Sequence, residues 1–347
     1  MVITDAFDAA LLALGECDSR GVARAGRRAE LDALRAVGAR NPSLGRIFEG
    51  HLNGAQLVAR CGTAVQKARA ERDIRRGLIF GVWNTQGADG VRIVADGDQF
   101  VLGGAKTFAS GAGSIARPIV TAAWPDGSAQ MCLVPMERVD TAIDRSAWRP
   151  LGMEDSDSFR ISFDGVVLGP DALIGTPGDY ERDPWFRGGA LRFSAVHVGI
   201  VERLYDETVA YLLDTGREND PFQRARVAEM RIAARTARQW IDAGERAWLE
   251  FDAAETPANA DHVADVVDMT RTVVERCALD VIERAVRSVG ARGLLEPLPF
   301  ARLVRDLEMY LRQPAPDAAL MRVADGAFRA ATASRKTAVA HSTGTGS

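Results

Sequence analysis

The spacing of hydrophobic and polar positions changes period twice along this chain. In the first ~75 residues it is helical: Leu11, Leu12 and Leu14 open an apolar face that Leu31, Leu34 and Val37 repeat. Asn41-Pro42-Ser43 then interrupts the chain and is placed to cap a helix whose Leu44, Ile47, Leu52 and Leu57 face inward. From Gly77 the period drops to two. Leu78 to Trp83 is a short buried run, and Asp96-Gly97 between Val91–Val94 and Phe100–Leu102 reads as a hairpin turn. Pro125-Asp126-Gly127, between Ile119–Trp124 and Met131–Val134, marks a second hairpin. Phe159, Ile161 and Phe163 alternate with polar residues, as in a strand buried on one face. After Gly188-Gly189 the helical period returns. Phe193, His197, Ile200, Leu204, Thr208 and Tyr211 form one stripe, Asp220-Pro221 opens a second helix, and Val263 to Val289 form the clearest apolar seam. Leu303 to Leu311 supplies part of a fourth helix, stopped by Pro314 and Pro316.

These periods predict an α+β protein in four parts. They are a short N-terminal helical domain (1–76), a central antiparallel β domain (77–175, barrel or sandwich), a C-terminal four-helix bundle (188–335) and a disordered tail (336–347). Composition narrows the function by exclusion. With 347 residues, 47% of them hydrophobic, the chain can bury a substantial core, and a net charge of −4 gives no electrostatic case for nucleic acid or an anionic membrane. No apolar run approaches the ~20 residues of a membrane span, and the first residues lack a signal-like apolar stretch, so a cytoplasmic protein is expected. Cys17, Cys61, Cys132 and Cys277 are widely separated, without metal-ligand spacing, so no metal site is expected.

Two segments carry a resemblance. Gly290-Ala291-Arg292-Gly293 runs into an amphipathic stretch holding Arg302, Arg305 and Asp306, and Gly103-Gly104-Ala105-Lys106-Thr107-Phe108-Ala109-Ser110-Gly111 lies upstream in the expected order. Together they resemble the acyl-CoA dehydrogenase superfamily of flavoenzymes, over roughly residues 40–330. The resemblance implies N-terminal helices, a β domain and a four-helix bundle, FAD as cofactor (FMN as the alternative), a small-molecule substrate and self-association as a dimer or tetramer. It maps the aromatic cover of the isoalloxazine ring to Phe108 and the hydroxyl near flavin N5 to Ser110. Trp83 and Thr85 fall on the loop beside the flavin, Arg217 on a pyrophosphate contact made across a subunit interface, and Gly290 and Gly293 on a close-approach loop. Arg302, Arg305 and Asp306 read as structural ion pairs.

The departures are informative. In dehydrogenases of this superfamily the carboxylate that removes the substrate α-proton lies eight residues after the Asp of the Arg-Asp pair; here that residue is Pro314. Other members place it just before an Arg on the first bundle helix, where this chain has Leu191-Arg192. Trp83-Asn84-Thr85 is closer to the monooxygenase-like branch. The expectation is therefore a flavin-dependent oxidoreductase that oxygenates a small substrate through a flavin hydroperoxide, with a separate reductase as partner. His197, Gln313 and Asn84 are the candidates for catalytic donors. A dehydrogenase with a relocated base and a flavin-free, non-catalytic relative are the alternatives.

Overall fold

In the computed structural model, residues 26–344 are described, Gln86 and Pro314 excepted. Leu11, Leu12, Leu14 and Pro314 thus lie outside the described residues. The N-terminal part is three helices, α1 (Gly26–Arg40), α2 (Pro42–Cys61) and α3 (Ala64–Arg75). Asn41 caps α2 by accepting from the Leu44 amide at 2.9 Å, with Pro42 at the first helical position where no N–H is needed. Thr63 and Gln66 form a reciprocal capping box that starts α3, a helix the apolar pattern does not announce.

The strands are β1 (Phe80–Trp83), β2 (Arg92–Asp96), β3 (Gln99–Gly103), β4 (Ala105–Ala109), β5 (Arg117–Ala123), β6 (Ala129–Leu133), β7 (Ala142–Asp144), β8 (Phe159–Ser162), β9 (Val166–Leu168) and β10 (Leu173–Ile174). Both expected hairpins form, β2 with β3 and β5 with β6. Seven strands make one sheet, in the order β10-β6-β5-β2-β3-β9 with β1 on β5, and β4-β8-β7 make another. Ile93 and Leu102 of the first sheet share one core with Ile161 of the second and with Phe163 just beyond it. The expectation of antiparallel strands throughout is corrected at β5, with which β1 pairs in parallel, Phe80 opposite Arg117 to Trp83 opposite Val120, as does β2 at Arg92 opposite Ala123. A long crossover through β2, β3 and β4 returns the chain to the end where β1 began, so β1 and β5 run the same way.

The C-terminal part begins with one helical turn, Trp185–Gly188, then α4 (Ala190–Asp214), α5 (Pro221–Ala253), α6 (Pro257–Gly293), α7 (Phe300–Leu311) and α8 (Pro316–Gly344). Asp220 and Thr256 cap α5 and α6, each followed by Pro. Two expectations are revised. The Leu303–Leu311 segment is a 12-residue helix rather than a full bundle member, and Pro316 starts a further helix of 29 residues instead of only ending one. Residues 336–344, expected to be disordered with the rest of the tail, continue that helix, and 345–347 lie outside the described residues.

Small residues set the contacts that bring the parts together. A Cβ on Gly199 of α4 would sit 1.9 Å from the Arg35 carbonyl oxygen of α1, and one on Gly54 of α2 would sit 3.1 Å from the Gly81 carbonyl oxygen of β1. Helix α2 therefore lies tightly on β1, and α1 on α4. Among the described residues no helix is long and apolar enough to cross a membrane.

Candidate active site

The sequence-derived candidates fall into three groups. The first is at the ends of β1 and β4. Trp83 is buried in the β-domain core beside Phe163, and its Nε1 donates to the Ser110 carbonyl at 3.0 Å. Its indole thus fixes the Ser110 turn from behind. The Asn84 Oδ1 accepts from the Thr121 hydroxyl at 2.7 Å, and its carbonyl accepts from Lys106 Nζ at 3.1 Å. Lys106 has no exposed surface and also donates to Thr121 Oγ1 at 2.9 Å; burial lowers its pKa to about 7. Thr85 is exposed, and its carbonyl accepts from the Thr107 amide at 3.3 Å.

Phe108 has a φ of 52°, the left-handed region, at an irregularity where β4 shifts register against β8. That twist turns its ring outward. It is 49% exposed and meets Trp148 edge-on at 6.1 Å. Next to it, the buried Ser110 hydroxyl joins a chain through Ser158 to Ser156, each step 2.9 Å. An exposed aromatic ring on a strained backbone, bordered by a hydroxyl relay, fits a planar, hydrogen-bonding ring such as an isoalloxazine. The relay is held from outside: Asp306 accepts from the Met153 amide at 2.6 Å, and Arg302 pairs with Asp155. Arg302 and Asp306 are thus structural, as expected, whereas Arg305 is exposed.

The second group lies where α2, α4 and α7 meet. His197 is buried, its ring 4.4 Å from that of Tyr310 at 88° and 5.5 Å from that of Phe193. Burial, aided by the charge of Arg271, lowers its pKa to about 3, so the imidazole is neutral. Burial pushes the Tyr310 hydroxyl far up, and the charges of Arg46 and Glu49 also act on it. Neither His197 Nε2 nor Tyr310 Oη has a hydrogen-bond partner among the described residues. A buried orphan of this kind costs ~1–3 kcal/mol. Gln313, just past α7, is anchored through its carbonyl by Arg271, whose guanidinium lies 5.5 Å from the Phe193 ring centre.

Around this pair runs a polar stripe that the apolar pattern of α2 hides. Arg46, Glu49, Asn53 and Gln56, spaced three, four and three, share one face. Arg46 pairs with Glu49 at 2.5 Å. Arg192, the residue after buried Leu191, donates to Gln56 at 2.7 Å and Asn53 at 2.8 Å, and lies 3.9 Å from Glu30 and 4.0 Å from Glu49. Sequence reading missed Tyr310, Ser156, Ser158 and this stripe. Its one visible signal was a second, polar periodicity within α2.

The third group stands apart. Arg217 Nη1 donates to the Ser288 carbonyl at 2.9 Å. With the Gln223 amide turned to donate to Ser288 Oγ, its oxygen accepts from Arg217 and Arg226. Gly290, at φ 64° and ψ −172°, kinks α6 just beyond, with open space at its Cβ position, and a Cβ on Gly293 would strike Val289. The expected glycine loop is thus a kink within a helix. From His197 to the end of α4, next to Arg217, is about 25 Å at 1.5 Å per residue, so the second group and the third do not form one site within a single copy. No group of residues among those described is suited to a metal ion.

Comparisons with known proteins place this geometry. Residues 186–311 match the acyl-CoA dehydrogenase C-terminal domain. The dibenzothiophene monooxygenase of Mycolicibacterium goodii is 24% identical over 317 residues, covering 81% of this chain and 75% of that protein. Among solved structures, dibenzothiophene monooxygenase TdsC from Paenibacillus sp. A11-2 in complex with FMN and indole superposes with a TM-score of 0.83 at 23% identity, covering 93% of this chain and 89% of that one. Methanesulfinate monooxygenase MsuC from Pseudomonas fluorescens gives 0.80 at 19% identity, covering 94% and 89%. Residues 186–311 thus match the C-terminal domain of acyl-CoA dehydrogenases, and the chain as a whole is similar in sequence and in fold to flavin-dependent monooxygenases.

Proposed function

We propose that this chain is an FMN-dependent monooxygenase acting on a small, neutral, largely apolar molecule. The observation that carries this reading is the His197–Tyr310 pair, two neutral buried groups with unsatisfied polar atoms against an aromatic wall. Removing a thioester α-proton calls for a base poised to take it. Glu49 is paired with Arg46, Asp306 is held by the Met153 amide through Oδ1 and lies 3.6 Å from Arg302 through Oδ2, and the sequence has Pro at 314 and Leu at 191. Neutral His197 and Tyr310 instead suit orienting an uncharged substrate and holding a proton beside oxygen.

Phe108 and Ser110 would carry the ring system, with Trp83 and Lys106 fixing the turn and the Asn84-Thr85 loop beneath it. Reduced FMN supplies the two electrons with which O2 gives one oxygen atom to the substrate and one to water. FMN is favoured over FAD because the Arg217 guanidinium is engaged by Ser288 and Gln223 of its own chain. Relatives whose structures contain FMN point the same way. Reduction by a separate flavin reductase and a cytoplasmic location complete the reading, the latter fitting the free thiols of Cys61, Cys132 and Cys277.

The test reconstitutes the protein with FMN, a flavin reductase and NADH, and supplies indole under labelled oxygen. One labelled oxygen atom in the product, detected by mass spectrometry, is the expected result. Anaerobic bleaching of the flavin by short-chain acyl-CoAs, with no labelled product, would overturn the oxygenase reading in favour of a dehydrogenase.

A further inference from the structure

We propose that Ser158 is a positioning residue that sets which way the Ser110 hydroxyl points, so that the Ser110–Ser158–Ser156 chain presents a proton to oxidised flavin and a lone pair to reduced flavin. This rests on the reading in which Phe108 and Ser110 carry the ring system, and adds to it a means of telling the two redox states apart.

The spacing of the three hydroxyls is closely held. Ser110 Oγ is 2.9 Å from Ser158 Oγ, which in turn is 2.9 Å from Ser156 Oγ and 3.5 Å from the Ser156 carbonyl oxygen. All three residues are buried, so bulk water does not compete for their protons. Backbone bonds clamp the two stretches that carry them, 108–112 and 153–158. The Gly111 amide donates to the Ser156 carbonyl at 2.8 Å and the Ala112 amide to the Asp157 carbonyl at 3.2 Å, while the Trp83 indole holds the Ser110 carbonyl at 3.0 Å. Strain marks the same place. Phe108, Met153 and Asp157 have φ of 52°, 62° and 44°, and non-glycine residues persist in that left-handed region where their surroundings impose it.

Each hydroxyl has one proton and can also accept. Two arrangements use all three protons. In the first, Ser156 donates to Ser158, Ser158 donates to Ser110, and Ser110 keeps its proton for an acceptor outside the chain. In the second, Ser110 and Ser156 both donate to Ser158, whose own proton falls back on the Ser156 carbonyl at 3.5 Å, and Ser110 offers lone pairs outward. Between them two hydroxyls rotate, no proton leaves and no covalent bond breaks. Nitrogen N5 of an isoalloxazine accepts when oxidised and, as an N–H, donates when reduced, so each state of the ring has its complement. The two arrangements are unequal. The first gives the Ser158 proton a 2.9 Å bond in place of a 3.5 Å contact, so the chain favours the oxidised ring.

The experiment uses the full-length protein reconstituted with FMN and reads the two-electron midpoint potential of the bound flavin by dye equilibration. Ser158→Ala is expected to weaken oxidised relative to reduced FMN about fivefold, which makes the potential more positive by ~20 mV. Ser158→Thr keeps the hydroxyl and should stay at the wild-type value. Ser110→Ala should move the potential in the same direction and at least as far. Thermal melts establish that the variants fold; should Ser158→Ala not fold, Ser158→Cys, which fills the space with a weak donor, takes its place. A shift with Ser110→Ala and none with Ser158→Ala would overturn the proposal, because Ser110 would then orient itself. A more negative potential in Ser158→Ala would overturn it as well. A potential unmoved by both variants would instead strike the placement of the ring beside Ser110, and the proposal with it.

Discussion

Lys106 shows how one side chain can set the behaviour of a loop. Its ammonium is sealed in the β-domain core between the Asn84 carbonyl and the Thr121 hydroxyl, with the buried Cys132 thiol as the ionisable group that acts on it. Its pKa falls from 10.5 to about 7, so between those values the unfolded chain holds the proton more firmly than the folded one. Stability should therefore rise with pH across that window, by roughly 3 kcal/mol between pH 7 and 9.5 if the shift is realised in full. Urea midpoints at the two pH values measure it, and Lys106→Met should flatten the rise. Flavin binding is expected to weaken in that variant, because Asn84 loses a donor that holds it. The sequence offered Lys106 only as part of a motif. That it is wholly buried depends on strand pairing, which no residue count reveals. The same holds for Trp83, whose indole lies in the core while Phe108, three strands on in sequence, is the ring left exposed.

At the scale of elements, the helices were legible wherever a cap and an apolar seam coincided. Asn41-Pro42 and Asp220-Pro221 mark the starts of α2 and α5 because both residues act locally, on orphan amides. What escaped was geometry between elements: the parallel pairing of β1, the shortness of α7, and the crossing of α1 over α4. That crossing depends on Gly199, and Gly199→Ala is expected to force the helices apart at a cost of about 1–3 kcal/mol, seen as a lower melting temperature. Asp306→Ala should act differently. By freeing the Met153 amide it loosens the turn that carries Ser156 and Ser158, so it should reduce flavin affinity more than melting temperature, with flavin fluorescence titration as the readout.

For the whole molecule, the outer face of the bundle remains strongly apolar in places. Leu320, Met321 and Phe328 on α8 are 42%, 64% and 72% exposed, with Phe222 at 72% beside the Arg217 turn. Exposed side chains of this size on one helix call for cover, and a second copy of this chain is the occupant consistent with self-association inferred from the family. Light scattering should find a dimer or tetramer, and Phe328→Asp should shift it towards the monomer; a wild-type monomer at micromolar concentration would contradict this. The Arg217–Ser288–Gln223 clasp gives a related expectation, that FMN binds at least about tenfold more tightly than FAD, since an arginine engaged internally brings no bidentate contact to a pyrophosphate.

Helix α2 lies against β1 on one side and carries the Arg46–Gln56 stripe on the other, with Ile47 close to Gly111 beside the Ser110 turn. It is therefore a partition between the Phe108–Ser110 turn and the His197–Tyr310 pair. A partition cannot be tightened from one side alone. Whatever factor by which substrate raises flavin affinity through this helix, flavin must raise substrate affinity by the same factor. Coupling of this kind would fill the flavin and substrate sites together and keep reduced flavin from meeting oxygen without a substrate in place.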